Sequence, residues 1–164
     1  MSQTRRSKRI SYEKLLEEMR AGEPPPERLL ALDPGETMGW ALFKDGMLYD
    51  RGQVLARNAP EKAAYKILQS KKPTEVVCED YRIYSWKVKD HAFDSLFTPK
   101  LIGMIQQECF RREIPIHLQM AVEAKSFVTD DKLKAWGMFP EGRKLRHSAD
   151  AMRHAIRYLM FFGR

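Results

Sequence analysis

The sequence predicts an α/β fold: a mixed five-stranded sheet of three antiparallel strands followed by parallel strands, flanked by helices. Two observations lead to this prediction. Asp45-Gly46 is a strong hairpin signal, and it joins the strand-like runs 40–44 and 47–54. Further along the chain, short apolar runs alternate with helical patterns, which is typical of parallel strands connected by helical crossovers.

Composition and charge narrow the possible classes of protein. The chain has 164 residues, 43% of them hydrophobic and 31% charged, which suits one globular domain with its own core. No apolar run approaches the ~20 residues of a membrane span, and the N-terminus lacks a signal-peptide core, so we expect no membrane partner. The net charge of +7 and pI of about 9.5 favour polyanionic partners such as nucleic acid. Cys78 and Cys109 lack CxxC spacing and indicate buried thiols in a reducing compartment.

The first 28 residues differ in composition from the rest. "TRRSKR" is a basic cluster, "SYEKLLEEMRAG" is a short helical pattern with Ser11 as N-cap and Gly22 as stop, and "EPPPE" breaks any helix. We therefore expect residues 1–28 to form a mobile basic N-terminal arm with a Pro-rich linker, and residues 29–164 to form the folded domain. The pattern fits a tail without a role as well as an arm that contacts DNA.

The first half of the folded domain contains four predicted strands and one helix. Residues 29–33 form a short apolar strand, and 40–44 and 47–54 form the hairpin. Residues 59–70 are helical by composition, with Pro60 in the first turn and Lys-Lys-Pro after the end. "EVVCE", residues 75–79, is the fourth strand and is predicted to be buried.

The second half is predicted to contain one more strand and three helical segments. Residues 82–97 are irregular and rich in aromatic and basic residues, and "PKLIGMIQQECFRR" is an amphipathic helix over 99–112. A fifth strand follows over 114–122, then a partly helical stretch over 124–136 and a closing helix over 148–162. This order makes the first and fourth strands parallel neighbours.

Three acids stand at the ends of predicted elements. Asp33 ends the first strand before a Pro-Gly turn, and Glu79 ends the fourth strand. Asp150 lies in the first turn of the last helix, three residues after His147. Because ligands in such sheets gather at the carboxyl ends of the strands, we expect these side chains to meet there.

A cluster of carboxylates points to metal chemistry. Clustered carboxylates repel one another and are costly to desolvate, and a divalent cation offsets both effects. Mg²⁺ and Mn²⁺ prefer carboxylate oxygens, and Mn²⁺ also accepts histidine. Two such ions ~3.5–4 Å apart are a common device for cleaving phosphodiesters. A basic chain with this cluster is therefore a nuclease candidate.

Each of these residues also has a purely structural explanation. Asp33 before Pro-Gly suits a turn, Asp150 suits the positive end of a helix dipole, and His147 suits a cap. Glu79 could face solvent, and Asp80 could be the working acid instead, since strand alternation lets only one of the pair point inward. The joint placement at three element ends favours a shared site.

Three segments together resemble the active-site motifs of RuvC-type Holliday junction resolvases, within the RNase H-like nuclease superfamily. They are "LLALDPGETMGWALF", "VVCEDYRIY" and "HSADAMRHAIRYL", and the predicted strand order is similar to the RNase H-like fold. The resemblance implies a homodimer that binds four-way DNA junctions and nicks two strands of like polarity symmetrically. It also implies two Mg²⁺ or Mn²⁺ ions per active site, held by Asp33, Glu79, His147 and Asp150.

The resemblance further implies a dimer surface around residues 99–110 and a phosphate contact at Lys125. Members of the family usually carry a DNA-touching aromatic residue shortly after the fourth-strand Glu, and which residue takes that part here stays open. "RIYSWKVKDHAF" could stack aromatic rings on unpaired bases, or it could pack them on the protein body. "PEGRKLRH" is a second basic stretch, beside the expected site. The candidate DNA-binding residues are Arg82, Tyr84, Trp86, Lys87, Lys89, Lys125, Arg143, Lys144 and Arg146.

Other functions remain open at this stage. A different RNase H-like nuclease, acting on flaps or RNA–DNA hybrids, would use the same four residues. The DPG-x-T-x-G turn also resembles the phosphate loop of actin-like ATPases and sugar kinases, but those need two such domains. A DNA-binding module with an inactive site would gain nothing from acids facing phosphate.

Compact, divergent resolvases of this type often occur in bacteriophages, so we expect a phage origin and a location in the cytoplasm of the bacterial host.

Overall fold

Five strands form one mixed sheet in the order β3-β2-β1-β4-β5. The structure is a computed structural model that describes residues 10–82, 96–142 and 145–162. β1 pairs antiparallel with β2, as does β2 with β3, whereas β1–β4 and β4–β5 are parallel. The predicted sheet is therefore confirmed, including the parallel pairing of the first and fourth strands. The strands are β1 (Arg28–Asp33), β2 (Thr37–Lys44), β3 (Met47–Leu55), β4 (Glu75–Asp80) and β5 (Ile116–Met120).

Six helices accompany the sheet in the described part of the chain, and none of them is long and apolar enough to cross a bilayer. β5 ends at Met120, earlier than predicted, because the Glu123 carboxylate accepts a hydrogen bond from the Met120 backbone N–H and starts a helix there. The partly helical stretch is two helices, and Thr129 caps the second. The helices are α1 (Tyr12–Arg20), α2 (Pro60–Lys71), α3 (Phe97–Arg111), α4 (Ala121–Phe127), α5 (Asp130–Ala135) and α6 (Arg146–Phe161).

The sheet separates two hydrophobic cores. Alternate residues of β1 point to opposite faces, as the pleat of a strand requires. Leu29 and Ala31 join the core that contains α6, whereas Leu30 and Leu32 join the core beneath α2 and α3. α6 contacts β1, β2, β3 and β4 and also α1 and α4, so most of its surface is buried. α6 therefore covers much of this face of the sheet.

α1 is part of the core on the α6 face, which differs from the mobile arm expected for residues 1–28. Tyr12 and Leu16 are buried in that core, and the Tyr12 hydroxyl donates to the Gly46 carbonyl at 2.6 Å. The Arg20 guanidinium donates to the Leu159 carbonyl of α6 at 2.9 Å. The last carbonyls of a helix have no N–H donor within the helix, so by donating to one of them Arg20 caps α6 from α1. The basic cluster at residues 4–9 lies outside the described residues.

Candidate active site

One row of five residues crosses an end of the sheet, on the face that α6 covers. Asp33 pairs with Gly39 in β2, and Gly39 pairs in turn with Gln53 in β3. On the other side, Glu79 pairs with Gln119 in β5. The parallel pairing of β1 with β4 runs up to Leu32 and Cys78, so the next residues, Asp33 and Glu79, lie side by side. In strand order, the row is Gln53, Gly39, Asp33, Glu79 and Gln119.

The first turn of α6 is anchored to this row at His147. Its Nδ1 lies 2.9 Å from Asp33 Oδ2. The His147 backbone N–H, which has no acceptor inside the helix, donates to Gln53 Oε1 at 3.0 Å. A Cβ atom added to Gly39 would lie 2.0 Å from the His147 carbonyl oxygen, so the helix backbone rests directly on β2. Only glycine allows this approach.

Asp33 is a buried acid with a raised pKa. Its side chain is buried, and the residue is 8% exposed. Burial raises the pKa of Asp33, and so do the Glu79 and Asp150 carboxylates, while the hydrogen bond to His147 lowers it; the result is about 6. The Glu79 and Asp150 carboxylates are therefore close enough to Asp33 to act on it electrostatically.

Glu79, and not Asp80, shares the face of Asp33. Glu79 Oε2 lies 2.9 Å from Nε2 of His154 in α6. Asp80 points the other way: its carboxylate accepts from the Tyr81 backbone N–H at 2.9 Å and lies 4.0 Å from the Arg82 guanidinium. Strand alternation resolves the choice that the sequence left open, because neighbours in a strand cannot point to the same face.

Asp150 lies between two cationic side chains. Arg153 donates to Asp150 Oδ1 at 2.6 Å, and Lys125 Nζ lies 3.5 Å from Oδ2. Arg153 also contacts Asp130 and donates to the Val128 carbonyl at 2.9 Å. A cavity of about 650 Å³ opens beside these groups. Its wall includes His147, Asp150, Lys125, Arg146, Phe139 and Pro140.

Comparison with known proteins identifies the fold. No protein-family model matches the chain, and no curated protein matches it by sequence. Thermus thermophilus RuvC in complex with a Holliday junction substrate superposes with a TM-score of 0.61 at 16% identity, over 81% of this chain and 92% of that one. The chain has the fold of RuvC-type resolvases.

Two further solved structures agree with this assignment. The yeast mitochondrial Holliday junction resolvase Ydc2 gives a TM-score of 0.55 at 12% identity, over 90% of this chain and 84% of that one. The fowlpox virus Holliday junction resolvase gives 0.56 at 15% identity, over 80% and 97%. At these identities the similarity shows the fold alone, and the RNase H-like arrangement expected from the sequence is confirmed.

Three of the nine predicted DNA-binding residues fall within the described part of this resolvase fold. Lys125 contacts Asp150, Arg146 is exposed at the cavity beside His147, and Arg82 is exposed two residues after the end of β4. Their roles stay predictions. The other six lie outside the described residues: Tyr84, Trp86, Lys87, Lys89, Arg143 and Lys144.

The donor set suits a hard divalent cation. Carboxylate oxygens are the ligands that Mg²⁺ and Mn²⁺ prefer, and the mutual repulsion felt at Asp33 favours a positive charge there. Among the described residues, no three His, Cys, Asp or Glu side chains are arranged to hold an ion as they stand. Each acid has its own partner: His147 for Asp33, His154 for Glu79 and Arg153 for Asp150.

The structure adds residues that the sequence analysis did not select. Gln53 and Gly39 seat the first turn of α6, and His154 and Gln119 contact each other and Glu79. His154 follows Asp150 by four residues and His147 by seven, so helical spacing puts all three on one face and could have indicated it. Gln53 and Gln119 carry no comparable local signal.

Proposed function

We propose that this chain is a metal-dependent endonuclease that resolves four-way DNA junctions by paired symmetric nicks. The observation that carries the proposal is the meeting of Asp33, Glu79 and Asp150 at one end of a sheet with the resolvase fold. Lys125 and Arg146 add positive charge beside these acids. The related structures from Thermus thermophilus and fowlpox virus are complexes with Holliday junction DNA, which supports the same substrate class here.

Asp33, Glu79, His147 and Asp150 would hold two Mg²⁺ or Mn²⁺ ions. When bound, the ions supply an activated water and charge stabilisation for phosphodiester hydrolysis. The rigid end of β1 holds Asp33, and the hydrogen bond with Asp33 orients the His147 ring. The close approach of the His147 backbone to Gly39 keeps the first turn of α6 against the sheet, and so places Asp150 beside the cavity.

Basic side chains near the acids would hold the DNA backbone. Lys125 and Arg146 are exposed at the cavity and would bind phosphates on either side of the cleaved bond. Residues that follow β4 would contact the junction core by stacking on bases and by binding phosphates. The candidates are Arg82, Tyr84, Trp86, Lys87 and Lys89. Arg143 and Lys144 are further candidates for contacts with the DNA backbone. The chain's net charge of +7 favours all of these contacts.

A cleavage assay on a synthetic four-way junction tests the proposal. With Mg²⁺ or Mn²⁺ we expect paired nicks at symmetric positions, and none with chelator. Asp150→Asn should bind the junction but not cut it, because a ligand to the metal is lost. Asp131→Asn, an exposed acid in α5, is the matched control and should cut at the wild-type rate. Faster cutting of a flap or an RNA–DNA hybrid would instead support another RNase H-like nuclease.

Symmetric nicks require two active sites, and we propose a homodimer formed through α3. Phe110 near the end of α3 is 78% exposed, which is unusual for a large apolar side chain. Phe110→Glu should convert a dimer into a monomer in sedimentation, because it puts a charge into the proposed interface. Tyr49→Glu, at another exposed aromatic residue on β3, should leave the dimer intact. A wild-type chain that sediments as a monomer at micromolar concentration would contradict this assignment.

A further inference from the structure

His154 is a buried histidine in the middle of α6 that joins three elements. Its side chain is 1% exposed. Its Nε2 lies 2.9 Å from Glu79 Oε2 in β4, and its Nδ1 lies 2.8 Å from Gln119 Oε1 in β5. Gln119 is itself 2% exposed. Both partners belong to the row across the sheet, so both ring nitrogens of His154 contact residues of the proposed site.

The partner of each ring nitrogen determines what His154 can do. An ionised carboxylate only accepts hydrogen bonds, so Nε2 must donate to Glu79. At Nδ1, the Gln119 amide can present either its oxygen to a protonated nitrogen or its NH₂ group to an unprotonated one. Gln119 Nε2 is buried with no partner among the described residues, and turning the amide would give that nitrogen Nδ1 as its acceptor. In both arrangements, Nε2–H points at Glu79.

The two histidines of α6 differ in access to solvent. His147 contacts Asp33 with a side chain that is 50% exposed, whereas the contact of His154 with Glu79 is buried on the histidine side. An ion that approaches from solvent can reach the first ring but not the second. His147 therefore suits a ligand and His154 suits a support, although each contacts an acid of the same pair of strands.

We propose that His154 is a positioning residue that holds the Glu79 carboxylate beside Asp33 for a divalent ion, with Gln119 holding the His154 ring. This inference rests on the proposed function. The hydrogen bond engages Oε2 of Glu79 and leaves Oε1 for the ion. Glu79 stands at the end of a strand next to another acid, so without an anchor its flexible side chain would turn away from Asp33. Anchoring before the ion arrives reduces the entropy lost on binding.

Titration of the full chain with Mn²⁺, followed by calorimetry or electron paramagnetic resonance, tests the positioning role without relying on cleavage. We expect His154→Leu to weaken Mn²⁺ binding by about 10–100-fold, the usual effect of removing an outer hydrogen bond to a metal ligand. His154→Gln should retain most of the affinity, because its amide nitrogen can donate where Nε2 does. Ile156→Ala, a fully buried change in the same helix, should lower Tm but leave Mn²⁺ affinity unchanged.

A double variant shows whether His154 acts through Glu79. In a Glu79→Gln background, His154→Leu should weaken Mn²⁺ binding no further. The inference would be overturned by wild-type affinity in His154→Leu, by an equal loss in Ile156→Ala, or by additive losses in the double variant. A wild-type chain that binds Mn²⁺ but never cuts DNA would overturn the proposed function. The Mn²⁺ affinities of the variants would then still decide whether His154 positions Glu79. A wild-type chain that binds no Mn²⁺ would overturn both.

Discussion

Asp33→Asn should abolish junction cleavage and at the same time raise the Tm of the metal-free protein at pH 7. Asp33 is buried beside Glu79 and Asp150, and these surroundings raise its pKa to about 6. At pH 7 the folded protein therefore holds an ionised carboxylate that burial and two acids disfavour. Asparagine removes the charge at nearly constant shape, which we expect to stabilise the fold by up to about 3 kcal/mol, less what the weakened contact with His147 loses. Cleavage stops because a metal ligand is lost.

The dependence of Tm on pH identifies the origin of this effect. A folded-state pKa above the unfolded value of 3.8 means that folding favours the protonated carboxyl. The stability that this contributes is present below about pH 4 and is lost as the pH rises through about 6. In chelator, the wild-type Tm should therefore fall relative to that of Asp33→Asn across this range. Above pH 6, Mn²⁺ should raise the Tm of the wild type but not that of Asp33→Asn, which has lost a ligand to the ion.

Cleavage gels and thermal melts from pH 4 to 8 measure both parts of the prediction. Asp131→Asn, which removes an exposed acid, should change neither the rate nor the relative Tm. Wild-type cleavage by Asp33→Asn would remove this residue from the active site. A variant less stable than the wild type at pH 7 would show that the hydrogen bond with His147 outweighs the repulsion at Asp33.

Gly39→Ala should disrupt the site without touching any acid. The added Cβ would lie 2.0 Å from the carbonyl oxygen and 2.1 Å from the carbonyl carbon of His147. These are backbone atoms, so the first turn of α6 must move away from β2. We expect a loss of about 1–3 kcal/mol or more in the free energy of unfolding. We also expect about 100-fold slower cleavage, because misplacing His147 and Asp150 by about 1 Å is enough for that.

Gly103→Ala is the matched control for this change. Gly103 lies in α3 with nothing within 4 Å of an added Cβ, and alanine favours a helix over glycine by about 1 kcal/mol. The control should be as stable as the wild type or more so, which urea unfolding measures, and the junction assay measures the loss of activity in Gly39→Ala. Full activity in Gly39→Ala would mean that the close approach of α6 to β2 is not needed for cleavage.

The sequence alone determined the features that depend on neighbouring residues. Asp45 and Gly46 take the positive φ angles of 48° and 79° that their hairpin signal predicts, and the order of strands and helices follows the hydrophobic pattern. The same local reading placed acids at the ends of β1 and β4 and at the start of α6, and the structure brings these three elements together. The rule that parallel strands end at one edge was enough to place Asp33 beside the acid-bearing end of β4.

The tertiary structure decided which side chains far apart in the chain contact each other. Arg20 caps a carbonyl 139 residues away, so no residue near α1 identifies α6 as the helix on which it packs. Glu79 and Asp80 are neighbours in one strand, and only the position of α6 shows which of them points toward the site. The contact between His154 and Gln119 joins residues 35 positions apart in the chain. A local pattern records whether a side chain is polar or apolar, but not which distant partner satisfies it once it is buried. That is why the sequence could point to the acid-bearing ends of the elements but not to Gln53 and Gln119, which contact His147 and His154.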